Sequence, residues 1–177
     1  MEIVIIILIG ISLSMDAFSL SLAYGSKNLE NKKIKILSII VGAFHFFMPL
    51  LGKLIGSIIM NLSLIHYSFI VPIIFIVIGV NMLLESFKKE EKIKGLDTLE
   101  LLLFGFAVSV DSFSVGIGLK NITEKYLLSS FVFSFSSFIF TYIGLKLGKK
   151  INNRIGNIAP ILGGIILIII GILYLFK

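Results

Sequence analysis

Cysteine is absent from this chain of 177 residues, and charged residues make up only 15% of it. Without cysteine the chain can form no disulfide bond and offers no thiolate, so a cation site would have to use oxygen atoms or imidazole nitrogens. An average soluble domain is about 25% charged and roughly 45–50% apolar, whereas 57% of these residues are hydrophobic. The scarcity of charge excludes an ordinary soluble domain.

Motifs of several functional classes are also missing. The sequence contains no metalloprotease, nucleophile or phosphate-binding motif, so we do not expect an enzyme. No basic segment and no small-residue cleavage site accompany the first hydrophobic run, which we therefore expect to be retained as a helix. The formal net charge is +6, but lysines between hydrophobic runs set membrane orientation. We expect no binding of nucleic acid.

The hydrophobic residues form blocks of about twenty, the length with which an α-helix crosses roughly 30 Å of hydrocarbon. The mean hydropathy of the chain is +1.07. We predict an all-α membrane protein that is embedded in the lipid bilayer. Six transmembrane helices are predicted, at about Ile3–Tyr24, Ile36–Met60, Tyr67–Phe87, Leu99–Leu119, Tyr126–Leu147 and Ile155–Phe176.

The basic residues fall mainly in three of the five predicted loops. Because Lys and Arg in short loops are retained on the cytoplasmic side, these loops are predicted to be cytoplasmic and both termini extracytoplasmic. Lys53 lies inside the second span, where we interpret it as a side chain that extends its ammonium group towards the membrane surface. Glu85, at the end of the third span, either pairs with a lysine or binds an ion. The basic residues of the first, third and fifth loops are Lys27, Lys32, Lys33, Lys35, Lys88, Lys89, Lys92, Lys94, Lys146, Lys149, Lys150 and Arg154.

Two stretches of the chain are near copies of each other. LIGISLSMDAFSLSLAYG at 8–25 and LFGFAVSVDSFSVGIGLK at 103–120 align at an offset of 95 residues, which pairs Asp16 with Asp111. LLGKLIG around Gly52 matches YIGLKLG at an offset of 92. The sequence therefore contains an internal repeat.

We predict a single transmembrane domain, 1–177, made of two three-helix repeats at about 1–90 and 98–177 with a cytoplasmic linker at about 88–97. Because each repeat has an odd number of crossings, the second must enter the membrane from the opposite side. Inverted-topology repeats occur in many secondary transporters, whose substrate sites lie near the membrane midplane between the repeats.

Asp16 and Asp111 each lie about thirteen residues into a span, close to the bilayer centre. An ionised carboxylate costs at least a few kcal/mol there, and it is usually accommodated by a cavity, a proton or a bound cation. We predict that the two aspartates bind a metal ion. The alternative is that each aspartate only accepts hydrogen bonds from serines on neighbouring helices.

Hydroxyl groups and one imidazole provide further candidate ligands. Ser12, Asp16 and Ser19 lie on one face of the first helix, although small residues also allow helices to pack closely. His45 in the second span is a ligand, a proton relay or a hydrogen-bonding partner, and its counterpart at the offset of 92 is Ser137. The further candidate metal ligands are Ser12, Ser14, Ser19, Ser109, Ser112, Ser114 and His45.

Carboxylate and hydroxyl oxygens, with at most one imidazole, suit a hard or borderline divalent cation such as Mn²⁺ better than Cu⁺. Two aspartates neutralise the charge of one divalent ion. The same aspartates can take up protons when the ion leaves, so exchange of the cation for protons is physically economical. The metal is then a transported substrate, and we expect no permanent cofactor.

Four segments resemble a known family: SMDAFSLSLAYG, SVDSFSVGIGL, HFFMPLLGKLIG and LGGIILIIIGILYL. They are similar to the MntP-type manganese efflux pumps, and the likeness covers essentially the whole chain. It implies a six-helix exporter of Mn²⁺ in the bacterial plasma membrane, with Asp16 and Asp111 at the positions of the family's intramembrane acids. Lys53 departs from the uncharged residue expected there. A related branch resembles sporulation-associated membrane proteins.

The predicted function is export of Mn²⁺ by alternating access, coupled to protons. Two alternatives stay open: a non-transporting assembly or sporulation factor, in which the acids only fix the helix register, and an exporter of another small solute. The sequence leaves the ion, the coupling stoichiometry and the oligomeric state open.

Overall fold

The long hydrophobic runs form long helices in the computed structural model, which describes residues 2–25, 29–61, 70–86, 98–150 and 158–176. Helices are favoured because a helix satisfies its own backbone hydrogen bonds where no water is available. No strand occurs among these residues. The helices are α1 (Glu2–Gly25), α2 (Asn31–Asn61), α3 (Ile70–Ser86), α4 (Thr98–Val108), α5 (Val110–Gly118), α6 (Tyr126–Gly148) and α7 (Ile158–Leu175), and a 3-10 turn at Leu119–Asn121 follows α5.

Four of the described helical stretches are long and apolar enough to cross a membrane. α3, with 17 residues, and α7, whose apolar part is Gly164–Leu173, are shorter. The helices agree with the predicted all-α, multi-pass architecture, while the number of six crossings stays a prediction. The four long stretches are Glu2–Leu22, Asn31–Ile58, Leu101–Gly118 and Tyr126–Gly148.

Several predicted features fall outside the described residues, and they stay predictions. The cytoplasmic linker at about 88–97 is one, together with the basic residues it contains. The others are the start of the third span at Tyr67, the start of the sixth span at Ile155, Lys27, Arg154 and the side chain of Glu85.

Large apolar side chains are exposed on all seven helices. Val4 on α1 and Phe131 on α6 are each 60% exposed, and Leu99 on α4 is 64% exposed. Soluble monomers rarely expose contiguous apolar patches larger than a few hundred Å². These outward-facing side chains therefore face lipid.

The buried apolar residues form two clusters. The first apolar cluster joins the beginning of α1 to α3, α5, α6 and α7, and the second joins the end of α1 to α2, α4 and α6. The first apolar cluster contains Ile6, Ile9, Leu13, Phe75, Ile78, Val115, Leu119, Ile122, Phe133, Leu167 and Ile170. The second apolar cluster contains Ala17, Tyr24, Leu29, Ile34, Leu37, Val41, Leu101, Phe104, Val108 and Leu145.

Glycines mark the close crossing of α1 and α6. A Cβ atom at Gly144 would lie 2.8 Å from the carbonyl oxygen of Phe18, and one at Gly148 would collide with the carbonyl oxygen of Leu22. A side chain at either glycine would force the helices apart, because a packed interior cannot absorb added volume.

The crossing of α2 and α5 uses the matching positions of the repeat. A Cβ atom at Gly52 would collide with the carbonyl oxygen of Phe113, and one at Gly56 with that of Ile117. These four residues are the counterparts, at the offsets of 92 and 95, of the four residues at the crossing of α1 and α6.

The crossing of α3 and α7 pairs equivalent positions in the same way. A Cβ atom at Gly79 would lie 2.6 Å from the carbonyl oxygen of Gly164, and one at Gly171 would lie 2.9 Å from that of Pro72. Gly171 follows Gly79 by 92 residues, as Gly164 follows Pro72.

The fourth predicted span has the expected extent but is not one continuous helix. α4 ends at Val108 and α5 begins at Val110, with Ser109 between them. The Ser109 amide donates to the Phe106 carbonyl at 3.1 Å, and the Ser109 hydroxyl donates to the same carbonyl at 2.8 Å. At Ser109 the backbone amide itself bonds the carbonyl three residues earlier, as in a tighter 3-10 turn, and the hydroxyl binds the same carbonyl, so the regular helical bonding is interrupted there.

Candidate functional site

Polar side chains lie between the two apolar clusters along α1. Leu13 is the last buried α1 residue of the first cluster, and Ala17 is the first α1 residue of the second cluster. Ser14, which is buried, and Asp16, which is half-buried, lie between them. The repeated acidic segment therefore places its carboxylate where one apolar cluster ends and the other begins.

The same change from one cluster to the other occurs around the break in the fourth span. Val108 at the end of α4 belongs to the second cluster, and Val115 in α5 belongs to the first. Ser109, Asp111 and Ser112 lie between them. Asp111 is in the first turn of α5, where the positive end of the helix dipole favours a carboxylate.

α2 and α6 add polar residues at the corresponding positions. His45 follows Val41 of the second cluster, while Ser137 and Thr141 of α6 lie between residues of the two clusters. His45, Ser137 and Thr141 are fully buried. We call the following set the polar layer: Ser14, Asp16, His45, Ser109, Asp111, Ser112, Ser137 and Thr141.

One hydrogen bond inside the polar layer joins two helices. The hydroxyl oxygens of Ser14 and Ser137 are 3.2 Å apart. The Ser14 hydroxyl also donates to the Gly10 carbonyl at 2.6 Å. Because a serine has a single hydroxyl hydrogen, Ser137 is the donor in the bond between α1 and α6.

His45 presents one ring nitrogen that is free of the helix. Its Nδ1 lies 3.0 Å from the carbonyl oxygen of Val41. A carbonyl can only accept, so Nδ1 carries the hydrogen and Nε2 keeps a lone pair. Nε2 is buried and has no hydrogen-bond partner within the described part of the chain. A buried lone pair of this kind can accept a hydrogen bond or bind a cation.

Most of the candidate serines use their hydroxyl hydrogen within their own helix. Ser12 donates to Leu8 at 2.8 Å, Ser112 to Ser109 at 2.7 Å and Ser114 to Val110 at 3.3 Å. A hydroxyl that donates in this way still has lone pairs. These contacts are compatible both with a packing role and with a ligand role.

The structure does not assemble the acids and the imidazole into one compact centre. Asp16 lies on α1, which packs against α6 and α7, whereas Asp111 lies on α5, which packs against α2 and α3. Over the described ranges, no three His, Asp or Glu side chains are close enough to hold a metal ion together. Hydroxyl or carbonyl oxygens would have to complete any site.

Three buried hydroxyls were not among the candidate ligands predicted from sequence. The oxygens of Ser21, Ser130 and Thr141 are buried and have no hydrogen-bond partner in the part of the chain that is described. Thr141 is four residues after Ser137, and this one-turn spacing was the available sequence signal. Ser130 is seven residues before Ser137, and Ser21 is seven residues after Ser14, so the same helical-face spacing was available for both.

Lys53 has an aromatic partner. Its ammonium nitrogen lies 4.3 Å from the ring centroid of Tyr126 at the start of α6. This cation–π contact explains how a lysine is accommodated near the end of the helical bundle.

The model of one protein family, described as "Putative manganese efflux pump", matches residues 28–175. A protein named "Putative manganese efflux pump MntP" from Bacillus pumilus is 36% identical over 177 residues, which are 99% of this chain and 96% of the relative. A protein of the same name from Methanobrevibacter smithii is 37% identical over 94% of this chain and 93% of the relative.

A third protein of this name, from Methanocorpusculum labreanum, is 37% identical over 97% of this chain and 94% of the relative. No solved structure matches the chain. The resemblance predicted from the acidic segments is confirmed over nearly the whole length. The protein therefore belongs to the MntP family of multi-pass membrane proteins.

Proposed function

We propose that this protein exports Mn²⁺ across the bacterial cell membrane. The observation that carries the proposal is the polar layer, in which two acids and an unpaired imidazole nitrogen lie between two apolar clusters. Ionisable residues inside a membrane are costly to bury and often mark the path of a substrate or an ion. The names of the relatives, which describe manganese efflux pumps, support Mn²⁺ as that substrate.

Asp16 and Asp111 would supply the negative charge that neutralises a divalent ion. His45 would add its Nε2 lone pair, and the oxygens of Ser12, Ser14, Ser19, Ser109, Ser112 and Ser114 are the further candidate ligands. Because the acids and the imidazole are not together in the described structure, they would meet around the ion only when one repeat moves against the other. Carboxylate oxygens with one imidazole suit Mn²⁺, a cation between the purely oxygen-loving and the softer metals. When the ion leaves, the two carboxylates would take up protons, which couples export to a proton gradient.

The proposed architecture is a single domain of six crossings in two inverted repeats, about 1–90 and 98–177. The glycine crossings support it, because Gly52 meets Phe113 as Gly144 meets Phe18. The two glycines are counterparts in the repeat, and so are the two phenylalanines. Two copies related by a pseudo-two-fold axis in the membrane plane would make such matched contacts. Both termini would then be extracytoplasmic.

Alternating access would use the two apolar clusters as gates. In the proposed orientation the first cluster lies towards the outside, because it contains Ile6 and Ile9 near the N-terminus. The second cluster, which contains Leu29 and Ile34, lies towards the cytoplasm. Opening one cluster while the other stays packed would expose the polar layer to one side at a time.

The test is Mn²⁺ flux into liposomes that contain the purified protein, measured with a pH gradient of either direction. Because Mn²⁺ would enter in exchange for protons, we expect the wild type to take up Mn²⁺ faster when the liposome interior is the more acidic side. Uptake should be slower when the gradient is reversed. The double variant Asp16→Asn with Asp111→Asn should reduce this flux by at least about a hundredfold. Loss of a residue that only holds a metal ligand in place already costs about 10–100-fold.

The matched control is Glu30→Gln, which removes an exposed acid just before α2 and should leave the flux unchanged. No Mn²⁺ movement by folded wild-type protein would contradict the proposal and favour a non-transporting assembly or sporulation factor. Flux of another small solute without metal dependence would favour the third class of function.

A further inference from the structure

A groove lies between the beginning of α2 and the end of α6. It has a volume of about 620 Å³. A smaller pocket of about 260 Å³ shares four of its lining residues and adds Lys35. The groove is lined by Asn31, Ile34, Tyr142, Ile143, Lys146, Leu147, Lys149 and Lys150. None of these residues is a candidate metal ligand, and only Ile34 belongs to an apolar cluster proposed as a gate.

The charged residues that line the groove are all positive. Lys146, Lys149 and Lys150 come from the end of α6, and Lys35 comes from the first turns of α2. None of the described lining residues is acidic. α2 begins at Asn31 and α6 ends at Gly148, so the positive end of one helix dipole and the negative end of the other offset each other here, and the positive field comes from the lysines. The groove is therefore complementary to an anion.

The remaining lining is apolar. Ile143 on the outer side of α6 is 43% exposed, and Leu147 follows it by one helical turn. Ile143 belongs to the surface that faces lipid, whereas the lysines lie at the end of the helix. A ligand that fits both parts has a negative group joined to a hydrocarbon chain, which describes a phospholipid with an anionic headgroup.

Two contacts hold the lysines in place. The ammonium nitrogen of Lys149 donates to the carbonyl oxygen of Leu29 at 3.2 Å, and that of Lys146 lies 4.7 Å from the ring centroid of Tyr142. The first contact ties the end of α6 to the segment that precedes α2. The second contact places the ammonium group of Lys146 against a ring that also lines the groove.

We propose that this groove binds one phospholipid with an anionic headgroup. The lysines contact the phosphate, and an acyl chain lies along Ile143 and Leu147. Basic pockets at the ends of transmembrane helices recognise anionic lipids by this combination. The bound lipid bridges α2 and α6, and the inference does not depend on which solute the protein moves.

The experiment is native mass spectrometry of the full chain in detergent, titrated with phosphatidylglycerol or with phosphatidylcholine of the same acyl chains. We expect one tightly bound phosphatidylglycerol and much weaker phosphatidylcholine. The double variant Lys35→Gln with Lys150→Gln should weaken phosphatidylglycerol binding by roughly fivefold for each lysine removed. This variant keeps the contacts of Lys146 and Lys149, so the groove should keep its shape.

The matched control is the double variant Lys120→Gln with Lys125→Gln, which removes two exposed lysines between α5 and α6, at the opposite end of α6. Its phosphatidylglycerol affinity should equal that of the wild type. An equal loss in both double variants, or equal binding of the two lipids, would overturn the proposal.

A third arm separates a lipid from a free anion. Inorganic phosphate in millimolar amounts should not displace phosphatidylglycerol, because it lacks the hydrocarbon chain. Ile143→Asn, which keeps all the lysines, should weaken the binding of phosphatidylglycerol. Displacement by phosphate, together with an unchanged affinity of Ile143→Asn, would show a free-anion site instead.

Discussion

The two copies of the acidic segment have similar sequences but different backbones. α1 runs unbroken through Ser14 and Asp16, whereas its counterpart is divided at Ser109 into α4 and α5. Ser14 donates to a carbonyl four residues earlier, which preserves the helix. At Ser109 the backbone amide and the hydroxyl both donate to the carbonyl of Phe106, three residues earlier, and the helix breaks there.

The neighbours of the two segments differ as well. Ser14 is bonded to Ser137 of α6, and the residue that corresponds to Ser137 in the other half is His45. Half of the polar layer therefore contains a pair of hydroxyls, and half contains a buried imidazole. The halves match in their helix crossings but differ in chemistry, so each can have its own part in binding and releasing an ion.

The largest expected effect tests whether the two acids are equivalent. Asp16→Asn and Asp111→Asn, made separately, should each reduce Mn²⁺ flux by at least about a hundredfold, because one carboxylate cannot neutralise a divalent ion. Initial rates in liposomes measure this, with Glu30→Gln as the control. Near-normal flux in either single variant would restrict the site to the other half.

The next effect concerns two of the three glycine crossings, those of α1 with α6 and of α2 with α5. Gly144→Val and Gly52→Val should each destabilise the fold by about 1–3 kcal/mol, since a side chain at either position meets a carbonyl oxygen of the neighbouring helix. Denaturant unfolding in detergent micelles measures the change. Ala43→Val on the exposed side of α2 is the control and should change little. Unequal losses at the two crossings would weaken the case for matched repeats.

His45 and Ser137 distinguish the halves most directly. His45→Ala should weaken Mn²⁺ binding by about tenfold, because it removes a candidate nitrogen ligand, whereas Ser137→Ala should change it by less than about threefold. Equilibrium binding of Mn²⁺ to the purified protein measures both affinities. Equal effects would show that the imidazole has no special part.

A smaller effect is expected for the hydroxyl pair. Ser14→Ala should lower the free energy of unfolding by about 0.6 kcal/mol, the typical value for a hydrogen bond between membrane helices. Ser57→Ala is the control, since that hydroxyl donates to Leu54 in its own helix at 2.7 Å. A loss at Ser57 as large as that at Ser14 would argue against a contribution from the bond to Ser137.

At Lys53 we expect a similarly small effect on stability and none on transport. Lys53→Met removes the cation–π contact with Tyr126, worth about 0.5–1 kcal/mol at a partly exposed position, and should leave the rate of Mn²⁺ flux unchanged. Thermal unfolding and the liposome assay together measure this. A marked loss of flux without a loss of stability would place Lys53 on the ion pathway.

Much of the helical fold could be predicted because runs of about twenty apolar residues have few alternatives to a helix in a bilayer. α1 and α6 begin and end within one residue or so of the predicted spans. The break at Ser109 could not be predicted, because it depends on whether the amide and hydroxyl of Ser109 donate to the carbonyl three or four residues earlier. The paired acids were visible because a carboxylate is rare in a span.

The burial of Ser21 and Ser130 was not predicted from hydrophobicity for a different reason. In a membrane protein both the interior and the lipid-facing surface are apolar, so hydrophobic periodicity does not separate the two faces of α1 or α6. Likewise, the free nitrogen of His45 follows from its bond to Val41, which only the three-dimensional structure shows.

That bond has a consequence for selectivity. With Nδ1 held by the Val41 carbonyl, the ring of His45 cannot turn without breaking a buried hydrogen bond, so an ion in the proposed site would meet a nitrogen in a fixed direction. Mg²⁺ and Ca²⁺ prefer oxygen ligands throughout, whereas divalent transition-metal ions as a class also accept imidazole. In the proposed site, a single backbone-oriented ring would discriminate against the alkaline-earth ions.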